Sequence, residues 1–193
     1  MLTLALGLLV FFAIHLVPID IRGGLVGRLG EGPYKLVFSL LAGLGLVLIV
    51  VGYGKLQALP GKNPQLWLPP PWTRHVAFTL MLPAMILLVA AYVPSRIRSA
   101  VGHPMLAAIK IWALAHLLAN GDLASLVLFG SFLVWVVVDR ISVKRRGALG
   151  PLGSATSTSP INDLIVVGVG LALYAVMLVW GHRWLIGVPL LAG

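Results

Sequence analysis

The chain has 193 residues, of which 60% are hydrophobic and only 10% charged, and its mean hydropathy is +1.03. No soluble domain of this length needs so much apolar surface, and the apolar residues come in long runs, so the chain reads as one polytopic membrane domain, 1–193. The net charge of +9 belongs to loops meeting anionic lipid rather than to nucleic acid, and the absence of cysteine excludes disulfides, thiolate nucleophiles and Cys-ligated metal sites.

The first predicted span is 2–19. It lacks a basic leader and a small-residue cleavage site, so it reads as a span and not as a removable signal. His15 lies inside it, three residues before Pro18. Residues 20–35 read as a polar, Gly-rich loop carrying Arg22, Arg28, Glu31 and Lys35. The second span is 36–53, with Ser39, Gly43 and Gly45 as small residues for close helix contact. Residues 55–75 form a longer loop in which Pro69, Pro70 and Pro71 stand between Trp67 and Trp72, an extended segment with interfacial aromatic anchors. The third span is 76–93, with a kink expected at Pro83. A short basic loop with Arg96 and Arg98 leads to Pro104, a favourable first helical position for the fourth span, 104–119. The polar hinge Asn120-Gly121-Asp122 turns the chain into the fifth span, 123–138. Residues 139–163 are first basic and then low-complexity (GSATSTSP), and read as a mobile loop before the sixth span, 164–185.

The expected fold is therefore all-α, a bundle of six transmembrane helices with both termini on one side. Loops after the first, third and fifth spans hold Arg22, Arg28, Lys35, Arg96, Arg98, Arg140, Lys144, Arg145 and Arg146; the opposite side holds Lys55, Lys62, Arg74 and Arg183. The positive-inside bias puts both termini away from the cytoplasm. His15 and His103 then lie toward the cytoplasmic side, and His75, His116 and His182 toward the other.

Polar groups inside a membrane cost several kcal/mol each unless partnered, so they mark sites. Imidazole is the commonest metal ligand. With five histidines, no cysteine and five carboxylates, the cofactor that fits is haem held by one or two histidines. His15 and His116 fall inside apolar runs and are the strongest ligand candidates, whereas His75 and His182 sit at span edges, where histidines also serve headgroups and helix ends. His103, before Pro104, reads as a cap, a pocket wall or a ligand. Trp112, His116 and Asn120 are spaced four apart and share a face, where Asn120 is placed to orient the imidazole. His103 and Lys110 share another face. Lys110 suits a haem propionate, a substrate anion or snorkelling to the interface. Asp122 reads equally as the cap of the fifth span. Arg22 and Glu31 read as a loop ion pair or as anchors for propionates or a headgroup. No hydrolase triad, phosphate loop or zincin motif is present.

Two stretches, GHPMLAAIKIWALAHLLANGD and HLVPIDIRGGLVGRLGEGPYKLVFSL, strongly resemble the NnrU family of bacterial membrane proteins. The family is associated with nitrite and nitric oxide metabolism in denitrifiers and is related to zeta-carotene isomerase, an integral membrane enzyme with haem b. The resemblance implies an inner-membrane protein in which His15 and His116, the latter in Trp112-Ala113-Leu114-Ala115-His116, ligate haem b. It also implies redox physiology linked to nitrogen oxides, with a nitrogen oxide, a quinone or another apolar small molecule as substrate. The isomerase motif has a cysteine where this chain has Ala113, so a mechanism exchanging histidine for thiolate is closed to it. Two other readings stand beside this one: a haem-dependent cis–trans isomerase of a carotenoid or other polyene, and a cofactor-free transporter or assembly factor using Lys110, His116 and Asp122 as an ion path. At ~1.5 Å per residue, the six-span topology separates His15 and His116 by roughly 20 Å in depth. The depth-matched pairs are His15 with His103, and His116 with His75 or His182.

Overall fold

The computed structural model describes residues 1–16, 19–59, 61–147 and 159–191, and only the backbone of Ile19, Asp20 and Arg146. It is all-α, as expected from the sequence, and divides into two compact units, Met1–Asn63 and Pro64–Gly193.

The first unit contains α1 (Leu2–His15), α2 (Ile19–Leu29) and α3 (Glu31–Ala58). Its main contact is α1 against α3, and glycine makes the approach possible. A Cβ on Gly7 would lie 2.6 Å from the Ile49 nitrogen, one on Gly45 2.9 Å from that of Phe11, and one on Gly52 2.5 Å from that of Leu4. Of the small residues singled out in the sequence, Gly45 therefore makes the close contact, while Gly43 faces open space and Ser39 is exposed. Leu4 and Leu8 are buried along the same α1 face, which continues through Phe11 to His15. The expected loop 20–35 is a correction: it is helical as α2 and the first turn of α3, broken at Gly30, whose φ of 85° suits glycine. Ile21, Leu25 and Leu29 recur every four residues there and give the helix an apolar stripe in spite of Gly23, Gly24 and Gly27. The first helix ends at His15, earlier than position 19; Val17 and Pro18 lie outside the described residues.

The second unit runs through α4 (Pro71–Ala90), α5 (Arg96–Val101), α6 (Pro104–Ala119), α7 (Leu123–Arg146), α8 (Pro160–Val176), a π-helical turn (Met177–Gly181) and α9 (His182–Ile186). Helix α4 packs against both α6 and α8, and α6 packs against α7. Ala77, Ala84 and Ala90 on α4, with Ala108, Ala113 and Ala115 on α6, are buried, and these short side chains let the backbones approach. Gly170 does the same for α8, where a Cβ would meet the Ile86 Cα at 2.7 Å. Pro83 sits inside α4 and lacks the N–H that would bond the carbonyl of Thr79. The basic loop expected at 94–102 contains α5, started by Ser95, whose hydroxyl accepts from the Arg98 N–H at 3.1 Å. The Arg96 N–H reaches Asp163 Oδ1 at 2.9 Å, its guanidinium pairs with the same carboxylate, and Asn162 donates to the Pro94 carbonyl at 2.6 Å, so the start of α5 is tied to the first turn of α8.

Among the described residues, four helices are long and apolar enough to cross a bilayer: Glu31–Ala58, Pro71–Ala90, Leu123–Arg145 and the continuous segment Pro160–Ile186. Leu2–His15 and Pro104–Ala119 are apolar but shorter, about 21 and 24 Å at 1.5 Å per residue against a hydrocarbon core of about 30 Å. Helix α3 begins and ends about one turn beyond the span 36–53, α4 starts at Pro71 rather than 76, and α7 continues two turns past 138. Of the low-complexity run GSATSTSP, residues 153–158 lie outside the described residues, while Ser159 and Pro160 are the N-cap and first residue of α8.

Candidate functional site

The site of the second unit begins at the hinge between α6 and α7. The Gly121 carbonyl accepts from the Leu66 N–H at 2.8 Å and the Trp67 N–H at 3.1 Å, and the Leu123 N–H donates to Pro64 at 3.0 Å. This short antiparallel bridge clamps Pro64–Trp67 against the turn. A Cβ on Gly121 would overlap the Trp67 carbonyl oxygen, so only glycine fits. Asp122 then starts α7: its buried carboxylate accepts from the Ser125 N–H at 2.9 Å and the Ser125 hydroxyl at 2.7 Å. The cap reading of Asp122 is thus realised.

Both ends of this clamp fix the last turn of α6. His116 donates Nδ1–H to the Trp112 carbonyl at 2.8 Å. A carbonyl can only accept, so Nδ1 carries the proton in the neutral ring and Nε2 carries the lone pair. Asn120 donates its amide to the His116 carbonyl at 2.9 Å. The sequence reading had Asn120 orient the ring; the structure gives that task to Trp112, and Asn120 closes the helix end instead. The ring of His116 stacks on Phe129 of α7 at 4.5 Å, and Trp112 meets Phe129 and Phe132 edge-on at 4.9 and 5.4 Å. These contacts set an imidazole in an aromatic seat at the α6–α7 interface.

A second imidazole comes from the far end of this unit. His182 stands 6.4 Å from His116, centroid to centroid, with the planes inclined by 16°. Its Nδ1 donates to the Val188 carbonyl at 2.8 Å. Gly187, at φ 81°, ends α9 and turns the chain back to present that carbonyl. The sequence had set His182 aside as an edge residue, although the loop-charge topology already matched it in depth with His116.

The other candidates are dispersed. Lys110 is exposed at mid-α6. His103 precedes α6 and makes no side-chain cap bond; burial, followed by the Arg140 guanidinium, pushes its pKa down. His75 is exposed and lines an open recess of about 540 Å³ with Thr73, Arg74, Phe78, Ala119 and Leu190. In that recess Arg74 lies over the Phe78 ring at 5.3 Å and donates to the Leu190 carbonyl. Trp67 and Trp72 are exposed, as interfacial anchors are.

In the first unit, His15 donates Nδ1–H to the Phe11 carbonyl at 2.6 Å, stacks on the Phe11 ring at 4.1 Å and meets Phe38 edge-on at 5.1 Å. Tyr34 continues the aromatic row at 6.4 Å from Phe38, and the Arg22 guanidinium lies 5.8 Å over the Tyr34 ring. Glu31 pairs with Lys35 at 2.7 Å, one turn on, rather than with Arg22.

Among the described residues, no three His, Cys, Asp or Glu side chains gather in a way that would hold a bare metal ion. A macrocycle that brings four nitrogens of its own asks the protein for only one or two imidazoles in an apolar seat, and His15 and His116 each have that character. The sequence profile described as NnrU protein matches residues 3–190. No curated protein and no solved structure matches the chain.

Proposed function

Because the chain belongs to the NnrU family, we propose that it is a six-span inner-membrane protein that holds haem b through intramembrane histidines and serves redox physiology linked to nitrogen oxides. The observation that carries this reading is the setting of His116. Its Nδ1–H is committed to the Trp112 carbonyl at 2.8 Å, its face rests on Phe129, and its Nε2, which carries the lone pair, belongs to a helix of apolar sequence. A backbone acceptor on one nitrogen fixes the tautomer and raises the basicity of the other, as it does for metal-bound histidines generally. When bound, haem supplies one-electron chemistry; the chain supplies the ligand, its orientation and a dry surround. The two short apolar helices cross the bilayer in this reading with their ends close to the interface. Ala113, fully buried beside the site, offers no ligand in place of the motif cysteine.

The test is a pyridine haemochrome assay on detergent-purified protein from haem-replete cells, wild type beside His116→Ala. Haem b in the wild type and its loss or sharp reduction in the variant support the reading. Equal haem in both removes His116 as a ligand.

A further inference from the structure

Which imidazole completes the coordination is the question the second unit answers. We infer that His116 and His182 are the two axial ligands of one iron, so that His15 is not the second ligand. The inference rests on the haem reading above and names the ligand pair within it.

Three observations meet here. First, the spacing fits. With a metal–imidazole bond of about 2 Å and a nitrogen about 1 Å from its ring centre, two imidazoles trans across one metal put their centres about 6 Å apart, against about 5 Å for a tetrahedral pair. The observed distance is 6.4 Å and the planes are nearly parallel at 16°. Second, both rings are presented alike. Each gives Nδ1–H to a backbone carbonyl, Trp112 for one and Val188 for the other, and each therefore holds its lone pair on Nε2. Third, the backbone is built to deliver His182. The π-helical turn Met177–Gly181 immediately precedes it and adds a residue to the helical register, so everything after it is rotated relative to an uninterrupted α8. Such turns inside helices concentrate at functional sites.

The packing agrees. Helix α6 packs on α4 and α7, and α8 packs on α4, but among the described residues α6 does not pack against α8 or α9. The two imidazoles stand side by side although the helices that carry them do not pack against each other. Both lie about one turn from the end of their helices, at positions 116 of Pro104–Ala119 and 182 of Pro160–Ile186. His15 belongs to the other compact unit, where its ring is seated between Phe11 and Phe38.

The experiment is oxidised-state visible and EPR spectroscopy of full-length protein loaded with haemin in detergent, comparing wild type, His182→Ala, His182→Met and His15→Ala. The wild type and His15→Ala are low-spin and six-coordinate. His182→Ala turns high-spin and regains the low-spin signature on adding free imidazole. His182→Met stays six-coordinate with a raised midpoint potential, because thioether favours the reduced iron, and this variant decides the matter should the alanine form fail to fold. A low-spin His182→Ala spectrum without added imidazole overturns the assignment while leaving the haem reading intact, as does a high-spin His15→Ala beside an unchanged His182→Ala. A wild type that takes up no haem overturns the haem reading, and the assignment falls with it.

Discussion

Asn120 donates its side-chain amide to the backbone carbonyl of His116, at 2.9 Å, and leaves the imidazole of His116 to the carbonyl of Trp112. Residues 112, 116 and 120 form a ladder down one face of α6 in which the ring is aimed by the rung above it and the helix end is closed by the rung below. Asn120→Ala removes only the closure. The expected result is a loss of about 1 kcal/mol in stability, the worth of one hydrogen bond, with an unchanged haem spectrum. A thermal melt in detergent followed by the visible spectrum of the same sample checks both halves. A spectrum that shifts in Asn120→Ala would give Asn120 the orienting role after all.

Gly121 holds the hinge that places this ladder. A methyl group there would overlap the Trp67 carbonyl oxygen and lie 2.9 Å from the Gln65 amide nitrogen. Overpacking against backbone costs about 1–3 kcal/mol and sometimes more. Gly130 of α7 faces open space, so the same substitution there gains helix propensity of up to about 1 kcal/mol. Gly121→Ala therefore lowers the midpoint of thermal unfolding and Gly130→Ala leaves it level or raises it. Equal behaviour of the two variants would contradict the clamped hinge.

His103 makes stability depend on pH. Burial and the Arg140 guanidinium push its pKa down from 6.5, with Asp139 opposing. The unfolded chain then takes up the proton at a higher pH than the folded one. Stability from this group is complete above 6.5 and falls as pH drops from there toward the lowered folded value, below which it is level. His103→Gln flattens that part of the profile relative to wild type in melts taken from about pH 7.5 down to about pH 5, a range that brackets the ordinary histidine value.

The chain contains no cysteine, which suits single-cysteine labelling. The proposed six-span topology, with both termini outside the cytoplasm, predicts that cysteines placed at Leu2 and Lys62 react with a membrane-impermeant maleimide added to whole cells, while those at Arg28 and Lys144 react only after permeabilisation. Labelling of the second pair in intact cells would reverse the orientation, and split behaviour within either pair would change the number of spans.

The apolar runs, Pro104 at the start of α6 and the Asp122 cap were all legible in the sequence, because hydropathy, proline and short acceptors at helix starts act locally. Helix α2 was not. Gly23, Gly24 and Gly27 argue for a loop on propensity, each costing up to about 1 kcal/mol in a helix, and the four-residue spacing of Ile21, Leu25 and Leu29 prevails over them. Of the three glycines at the α1–α3 contact only Gly45 was legible, whereas Gly7 and Gly52 emerge only once α1 and α3 lie against each other. His116 stood out as a histidine within apolar sequence. His182 did not, because its approach depends on a π-helical turn that no periodicity announces and on the left-handed Gly187 that brings Val188 back to its ring.

The central claim, haem held by intramembrane histidines, is met most directly by a dithionite-reduced minus oxidised visible spectrum of the wild-type protein, purified in detergent from cells fed a haem precursor. The account predicts a Soret band with sharp α and β bands in the reduced form, the signature of low-spin haem b with two nitrogen ligands. A flat visible spectrum from protein at near-complete purity would contradict it, and would leave the Trp112–His116–Phe129 cluster and its neighbour His182 as packing without iron.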